Sequence, residues 1–484
     1  MNNQADWQLI YILPRNWGHP SFDPIDSDSI ANSAHMEQLI GTLTKMGPTG
    51  KYEPYLADSW RESEDRKFWA FRLLPNLKCS DGTAVDALGF VESLKIVLPI
   101  YAATNDLPVF NQLKGWKAFL GGDRNALGIR ASSSSEILFE FDNIPKSGLL
   151  EYLSMPYYGL YCPGNFVNGH WKSRDQIISS GAYALERVEG DTIYLKKRND
   201  FLAKSDAPAH VVIKRLDKKQ ALLEAPERTI FHTTLGGDEV IAPGWKQLTG
   251  VPTNLIGLAF GNVAGSPFLK QEFRRYLAHA LKNQLPAIAV GSYEPAKSFY
   301  FDSPVTVEGT ALHRKLDIHS TQRSLKILTG PQINKSRMVS LIEDMLGRIL
   351  TDLKLKYEFY GLDPSDLNYN KRYVANDEWD IRLFNVSSGS SPKNWVVRMM
   401  FCSSMGINFL DPTKRICELV DRQDDSPLEQ MDYVKRFENI VYEDSAVIPL
   451  FHMKQTWLYS ADLDVSQVTS TADVPLFEHL RLKR

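Results

Sequence analysis

A chain of 484 residues has room for two or three domains of roughly 150 residues each and can bury a sizeable core. It carries 55 Lys and Arg against 58 Asp and Glu, a formal net charge of -3, with 43% hydrophobic and 11% aromatic residues. This ordinary globular balance excludes disorder, collagen and the clustered positive charge of a nucleic-acid-binding surface. The most apolar stretches, such as 90–101, are interrupted by Glu92, Ser93 and Lys95, so no transmembrane helix is expected.

In chain order, Trp7 to Leu13 is a short apolar run closed by Pro14, which predicts a buried strand. Arg15 to Pro24 is rich in turn formers and aromatic residues. A helix from about Ser29 to Thr44 follows, with Ile30, Ala34, Leu39, Ile40 and Leu43 as its apolar face. Strand signals with turns fill 51–73, Asp81-Gly82 is a tight-turn pair, and Asp86 is placed to cap a helix through Phe90, Val91 and Leu94. Strands are expected at 137–141, 193–197 and 255–260. A helix over 271–282 has Phe273, Leu277, Ala280 and Leu281 at helical spacing. Residues 324–329, 335–350 and 353–360 read as strand, helix, strand, a right-handed crossover unit. Another strand at 379–385 runs into Val386-Ser-Ser-Gly-Ser-Ser-Pro392. An amphipathic helix over 428–442 and a strand over 446–451 complete a mixed α/β chain.

Catalytic signatures are missing from this pattern. The sequence has no G-x-S-x-G, no H-E-x-x-H and no Walker loop, since the glycines of Gly47-Pro-Thr-Gly-Lys51 are too close to cradle a phosphate. Asp23, Asp26 and Asp28 lack the Gly and Glu that complete a calcium loop and read as turn and cap residues. The ten histidines never pair at metal spacing; His19 and His452 read as polar lining or capping groups. Cys79, Cys162, Cys402 and Cys417 form no C-x-x-C pair. Cys402 and Cys417 are close enough to bridge but are expected as two small buried apolar residues. No cofactor or metal is expected.

Six segments in fixed order carry a family resemblance. Pro54-Tyr-Leu-Ala-Asp-Ser-Trp60, Asp65 to Leu73, Cys79-Ser-Asp-Gly-Thr83 with Asp86 to Leu94, Gly181-Ala-Tyr183 with Ile193 to Phe201, Arg274 to Ala280, and Val447-Ile-Pro-Leu-Phe451 together resemble the family 5 extracellular solute-binding proteins. These are receptors of peptide, nickel and related ABC importers. The resemblance implies a two-lobed periplasmic-binding-protein-like α/β fold, with an extra subdomain in the first lobe and two hinge strands. It divides the chain into 1–44 (lobe I), 45–178 (extra subdomain), 179–257 (lobe I), 258–448 (lobe II) and 449–484 (lobe I). The crossings are expected near 256–261 and 446–450.

The resemblance also implies where a ligand would lie. It points to Trp17, His19 and Gly41 in the first lobe, and to Phe260, Asn262, Asn385, Ser387, Ser388, Ser390 and Trp395 in the second. Peptide-binding members commonly carry Asp-Tyr-Pro-Asp-Pro after a second-lobe strand, its first Asp pairing with the ligand's α-ammonium group. Matching Asp380, Leu383 and Pro392 to that pattern puts Ser388 at the first Asp and Ser391 at the second. The usual Tyr-Glu near the end of the first long helix is replaced by Ile40-Gly41. By composition the serine run is a flexible surface connection. Placed by the resemblance it offers hydroxyls and backbone N–H groups to a neutral or anionic solute. Trp17, Trp395 and Phe260 are apolar walls on that placement and plain core otherwise.

The expected function is therefore a non-catalytic, monomeric receptor. It would hold a small polar solute between two lobes and deliver it to a membrane-embedded ABC permease, with no nucleic acid involved. The stretch Met1 to Trp7 lacks the features of a secretory signal. The location is thus either periplasmic or at the extracellular face after removal of a signal, or cytoplasmic. The cytoplasmic alternative is a ligand sensor on the same fold, and an enzyme is the remaining one.

Overall fold

The computed structural model describes residues 6–15, 21–23, 30–47, 51–103, 107, 109–145, 148–168, 170–173, 175–200, 206–223, 227–233, 239–285, 292–300, 323–331, 337–362, 377–387, 397–402, 414–421, 427–466 and 474–483. The chain divides into two compact units. The first comprises Met1–Thr234, Glu239–Val251 and Gln455–Arg484, and the second Leu235–Asp238 and Pro252–Lys454. The divisions at 251/252 and 454/455 fall inside the strands Trp245–Phe260 and Val447–Ser460.

In the first unit the strand Gln8–Pro14 is central. It pairs in parallel with His210–Leu216 on one side and with Thr229–Thr233 on the other. Thr192–Lys197 and Tyr183–Glu189 extend the sheet antiparallel beyond His210–Leu216, and Val447–Ser460 pairs antiparallel with Thr229–Thr233 through Tyr459 to Thr456. Leu9, Tyr11 and Leu13 on one face are fully buried and Ile12 on the other is 3% exposed, as expected of a parallel strand covered on both faces. The helix Ile30–Leu39 stops five residues short of the expected end. The cause is Gly41, whose N–H donates to Ser180 Oγ (2.9 Å) and whose carbonyl accepts from Leu160 N–H (2.7 Å). Both backbone groups that helix continuation would need are already committed.

A second, antiparallel sheet in this unit runs Ala57–Glu62, Phe68–Leu73, Glu136–Glu140, Ile129–Ala131. The helix Ala87–Ala102 packs on it and is capped as expected, Asp86 Oδ1 accepting from Gly89 N–H at 2.8 Å. Gly82 takes φ +86°, the left-handed geometry its turn requires.

The second unit holds the expected strand, helix, strand. Leu325–Pro331 and Tyr357–Leu362 pair in parallel on either side of the helix Arg337–Asp352. Ile381–Ser387 joins in parallel with Leu325–Pro331 and antiparallel with Trp245–Phe260. The helix Gln271–Lys282 has the expected bounds and buries Phe273, Leu277 and Leu281 in the core with Ile342, Leu346 and Leu450. No described helix is long and apolar enough to cross a membrane.

The cysteines correct the sequence expectation. Cys79 bonds to Cys162 and Cys402 to Cys417, with Cα–Cα distances of 6.1 and 5.4 Å, and no cysteine is free. Cys402 and Cys417 are only partly buried beside the core of the second unit, so the bond and not apolar burial explains them. In the chain-entropy model, closing sequence separations of 83 and 15 residues contributes about 4.5 and about 3 kcal/mol respectively. Replacing the Cys79–Cys162 pair by alanines should therefore lower the melting temperature further than replacing Cys402 and Cys417, as read by thermal denaturation with and without reductant.

Candidate functional site

Ligands of open α/β sheets bind beyond the carboxyl ends of parallel strands, where the strand order switches direction. The sequence-predicted ligand segments can be placed against that rule within each unit. In the first, Trp17 and His19 lie outside the described residues, but they follow directly from the carboxyl end of Gln8–Pro14. Here Gln8–Pro14 stands between two parallel strands that are consecutive in the chain order of the sheet. After them, residues 21–23 are fastened to the helix Ile30–Leu39. Ser21 N–H donates to Asn32 Oδ1 (3.1 Å), His35 Nε2 meets the Ser21 carbonyl (2.8 Å), and Phe22 packs edge-on to the His35 ring. Asp23 is buried, its N–H donating to Ser21 Oγ, which fits its reading as a turn residue.

Gly41 is fully enclosed in the first unit. A Cβ there would stand 2.8 Å from both Leu56 Cδ1 and the Ser180 carbonyl oxygen. Close packing accounts for this glycine without a ligand. Gly41→Ala should cost about 1–3 kcal/mol of stability, measured by denaturant unfolding in the absence of any solute; an unchanged midpoint would return Gly41 to the ligand list.

In the second unit the strand Ile381–Ser387 is set by a buried carboxylate. Asp380 accepts from Arg323 Nη1 and from Lys326 N–H, each at 2.9 Å, while its own N–H donates to the Lys326 carbonyl. The charge is thus paired and hydrogen-bonded where it is out of water. At the other end of this strand Asn385 is exposed, and its Oδ1 accepts from Asn254 Nδ2 at 3.1 Å. Asn254 is itself buried and in register with Ser387. Asn254 carries no signal of its own in the sequence, because it immediately precedes the apolar run 255–260 and its partner is 131 residues away. Ser388, Ser390 and Trp395 lie outside the described residues, as does the side chain of Ser387. The backbone of Ser387 ends the strand opposite Asn254, beyond Ile381 and Arg382 where the strand pairs in parallel with Leu325–Pro331.

Phe260 corrects the expectation of an apolar wall. It is fully buried in the core of the second unit, with Phe268 at a ring distance of 5.3 Å, and has no surface to offer a solute. Asn262, two residues on, is exposed. Among the described residues no group of three His, Cys, Asp or Glu is arranged to hold a metal ion. Burial, reinforced by the Glu478 carboxylate, holds the Tyr55 hydroxyl well above its ordinary range, so it serves as a hydrogen-bond donor to Glu478 Oε2.

The model of the bacterial extracellular solute-binding proteins, family 5 Middle, matches residues 51–314, more than half of the chain. The protein belongs to this family. Among curated relatives, the periplasmic oligopeptide-binding protein OppA of Haemophilus influenzae is 35% identical over 82 residues, 17% of this chain and 15% of the relative. The dipeptide-binding protein DppE of Bacillus subtilis is 22% identical over 309 residues, 60% of this chain and 55% of the relative. The matches therefore span at most about half of these relatives' length. Solved structures match throughout: NikA of Brucella suis in complex with Fe(III)-EDTA has a TM-score of 0.78 at 15% identity, covering 99% of this chain and 100% of that one. The Escherichia coli murein tripeptide binding protein MppA gives 0.74 at 15% identity, covering 99% of each chain. At such identities the likeness establishes the fold, the expected two-lobed binding-protein architecture.

Proposed function

We propose that this chain is the solute-binding receptor of an ABC importer, capturing a small polar solute and handing it unchanged to a membrane-embedded permease. The family match over 51–314 carries this reading, and the names of OppA and DppE as peptide-binding proteins support it. The receptor works as a monomer and without a cofactor. Its location is periplasmic or at the extracellular face, a reading supported by the two disulfides, which persist in oxidising compartments. The same bonds weigh against a cytoplasmic sensor on this fold.

A solute bound only by the folded receptor adds stability as RT ln(1 + [L]/Kd), about 2.7 kcal/mol at a hundredfold excess over Kd. Thermal melts against a solute library should show a saturable upward shift for one chemical class, with the solute recovered unchanged. Recovery of a modified product would instead make the protein an enzyme.

The solute class is neutral or anionic and not an ordinary peptide, because Ser388 stands where peptide-binding members carry the ammonium-pairing Asp. Ser387, Ser390 and Ser391 add only neutral acceptors. Restoring the carboxylate with Ser388→Asp should improve di- and tripeptide binding ten- to hundredfold and weaken binding of the native solute. Isothermal calorimetry reads both. Micromolar binding of ordinary peptides by the unaltered protein would show that another acidic group supplies the anchor.

A further inference from the structure

Among the described residues, two buried arginines contrast with a third. Arg198 is enclosed in the first unit and spends its guanidinium on the carbonyls of Ser179, Gly181 and Lys78 and on the Asp200 carboxylate. Arg274 in the second unit does the same with the carbonyls of Phe268, Leu269 and Asp444. Each is a structural brace with its donors satisfied by backbone. Arg215 is 3% exposed, as deeply enclosed as these, yet Nε, Nη1 and Nη2 all lack a hydrogen-bond partner among the described residues.

A guanidinium has five N–H donors, cannot shed its charge at any physiological pH, and is among the costliest groups to bury unpaired. Its position adds a second observation. Arg215 is the next-to-last residue of His210–Leu216 and is in register with Leu13, so it stands at the carboxyl end of the parallel strands, where α/β sheets take their ligands. On the other side, the antiparallel register that pairs Ile193 with Ile213 brings Asp191 towards it. That carboxylate favours the charged form of Arg215 against the effect of burial without forming a hydrogen bond to it.

We propose that Arg215 is the anchor of an oxyanion subsite in the first unit, receiving a carboxylate or phosphate group of the transported solute through paired N–H donors. The inference rests on the receptor reading and narrows its solute to an anionic one. A planar fork of donors matches either oxyanion two-point, and the charge-assisted bonds would satisfy what the protein alone leaves unmet. Because the guanidinium nitrogens have no accessible surface, the oxyanion must displace the packing around them, so association should be slower than for an open site.

The test uses the full chain, Arg215→Met and Arg215→Lys, with sodium phosphate and sodium succinate as separate probes against sodium chloride at matched ionic strength. In solute-free buffer Arg215→Met should melt at or above the temperature of the unaltered protein, since it replaces an unpaired buried charge by an apolar chain of similar length. Phosphate or succinate should raise the melting temperature of the unaltered protein saturably, and whichever does so identifies the oxyanion. By calorimetry the same probe should bind at least tenfold more weakly to Arg215→Met, with Arg215→Lys between the two. A lower melting temperature for Arg215→Met in solute-free buffer would make Arg215 a structural brace and overturn the proposal. So would probe shifts equal in both proteins, or absent from both. A neutral solute that binds the unaltered protein and Arg215→Met equally would overturn the subsite and leave the receptor standing, whereas chemical conversion of a bound solute would overturn the receptor.

Discussion

The parallel pairing of Gln8–Pro14 with a strand on each side is the constraint on which the sheet of the first unit depends. A strand paired on both edges and covered on both faces needs apolar residues on each, and Leu9, Tyr11 and Leu13 on one face and Ile12 on the other meet that demand. The same pairing aligns three strand ends at one edge. Whatever segment follows Pro14 leaves from that edge, and Arg215 reaches it because His210–Leu216 keeps register with Gln8–Pro14 for all seven residues. In the second unit the parallel partners Leu325–Pro331 and Ile381–Ser387 play the same part, and the serine run begins where the latter ends.

Buried charge shows where the fold spends its polar groups on itself. Asp380 is paired with Arg323 and held by Lys326 N–H. Glu438, fully buried, accepts from the N–H groups of Phe299 and Tyr300 at 3.0 and 2.9 Å. Arg198 and Arg274 each gather several carbonyls. A carboxylate or guanidinium removed from water is tolerated when its hydrogen-bonding capacity is filled, and in these four cases the fold fills it. The contrast with these four groups is what makes the three bare donor nitrogens of Arg215 informative.

Local rules were legible in the sequence and long-range ones were not. Apolar spacing located Gln271–Lys282 to the residue, and Asp86 was readable as a cap because the group it serves lies three residues away. The end of the first helix was misread because Leu43 continues the apolar period. The residues that stop the helix, Ser180 and Leu160, are more than a hundred positions on. Cys79 and Cys162 gave no spacing signal across 83 residues, and Asn254 none across 131. Phe260 reads as a wall from sequence because an aromatic residue at a strand end has the same signature whether it faces solvent or core. The packing of Phe268 decides it. Trp17, His19, Ser388, Ser390 and Trp395 stand on the resemblance alone. They follow strand ends, where periodicity stops carrying information.

On the proposed reading, two unconnected observations bear on the charge of the solute, one from the sequence and one from the structure. By the resemblance, Ser388 stands where peptide-binding members carry a carboxylate, a position with no charge to compensate a cationic ligand terminus. Arg215 keeps a guanidinium whose donors have no hydrogen-bond partner among the described residues, a group that an anionic terminus would compensate. Either change alone could be absorbed: a neutral solute tolerates the serine, and a zwitterionic peptide could meet the arginine with its carboxylate while leaving its ammonium unpaired. On the proposed reading each position disfavours a cationic group in its own unit, because a buried charge without a partner costs several kcal/mol. Specificity of this kind depends as much on what the rejected ligand leaves unpaired as on what the accepted one gains.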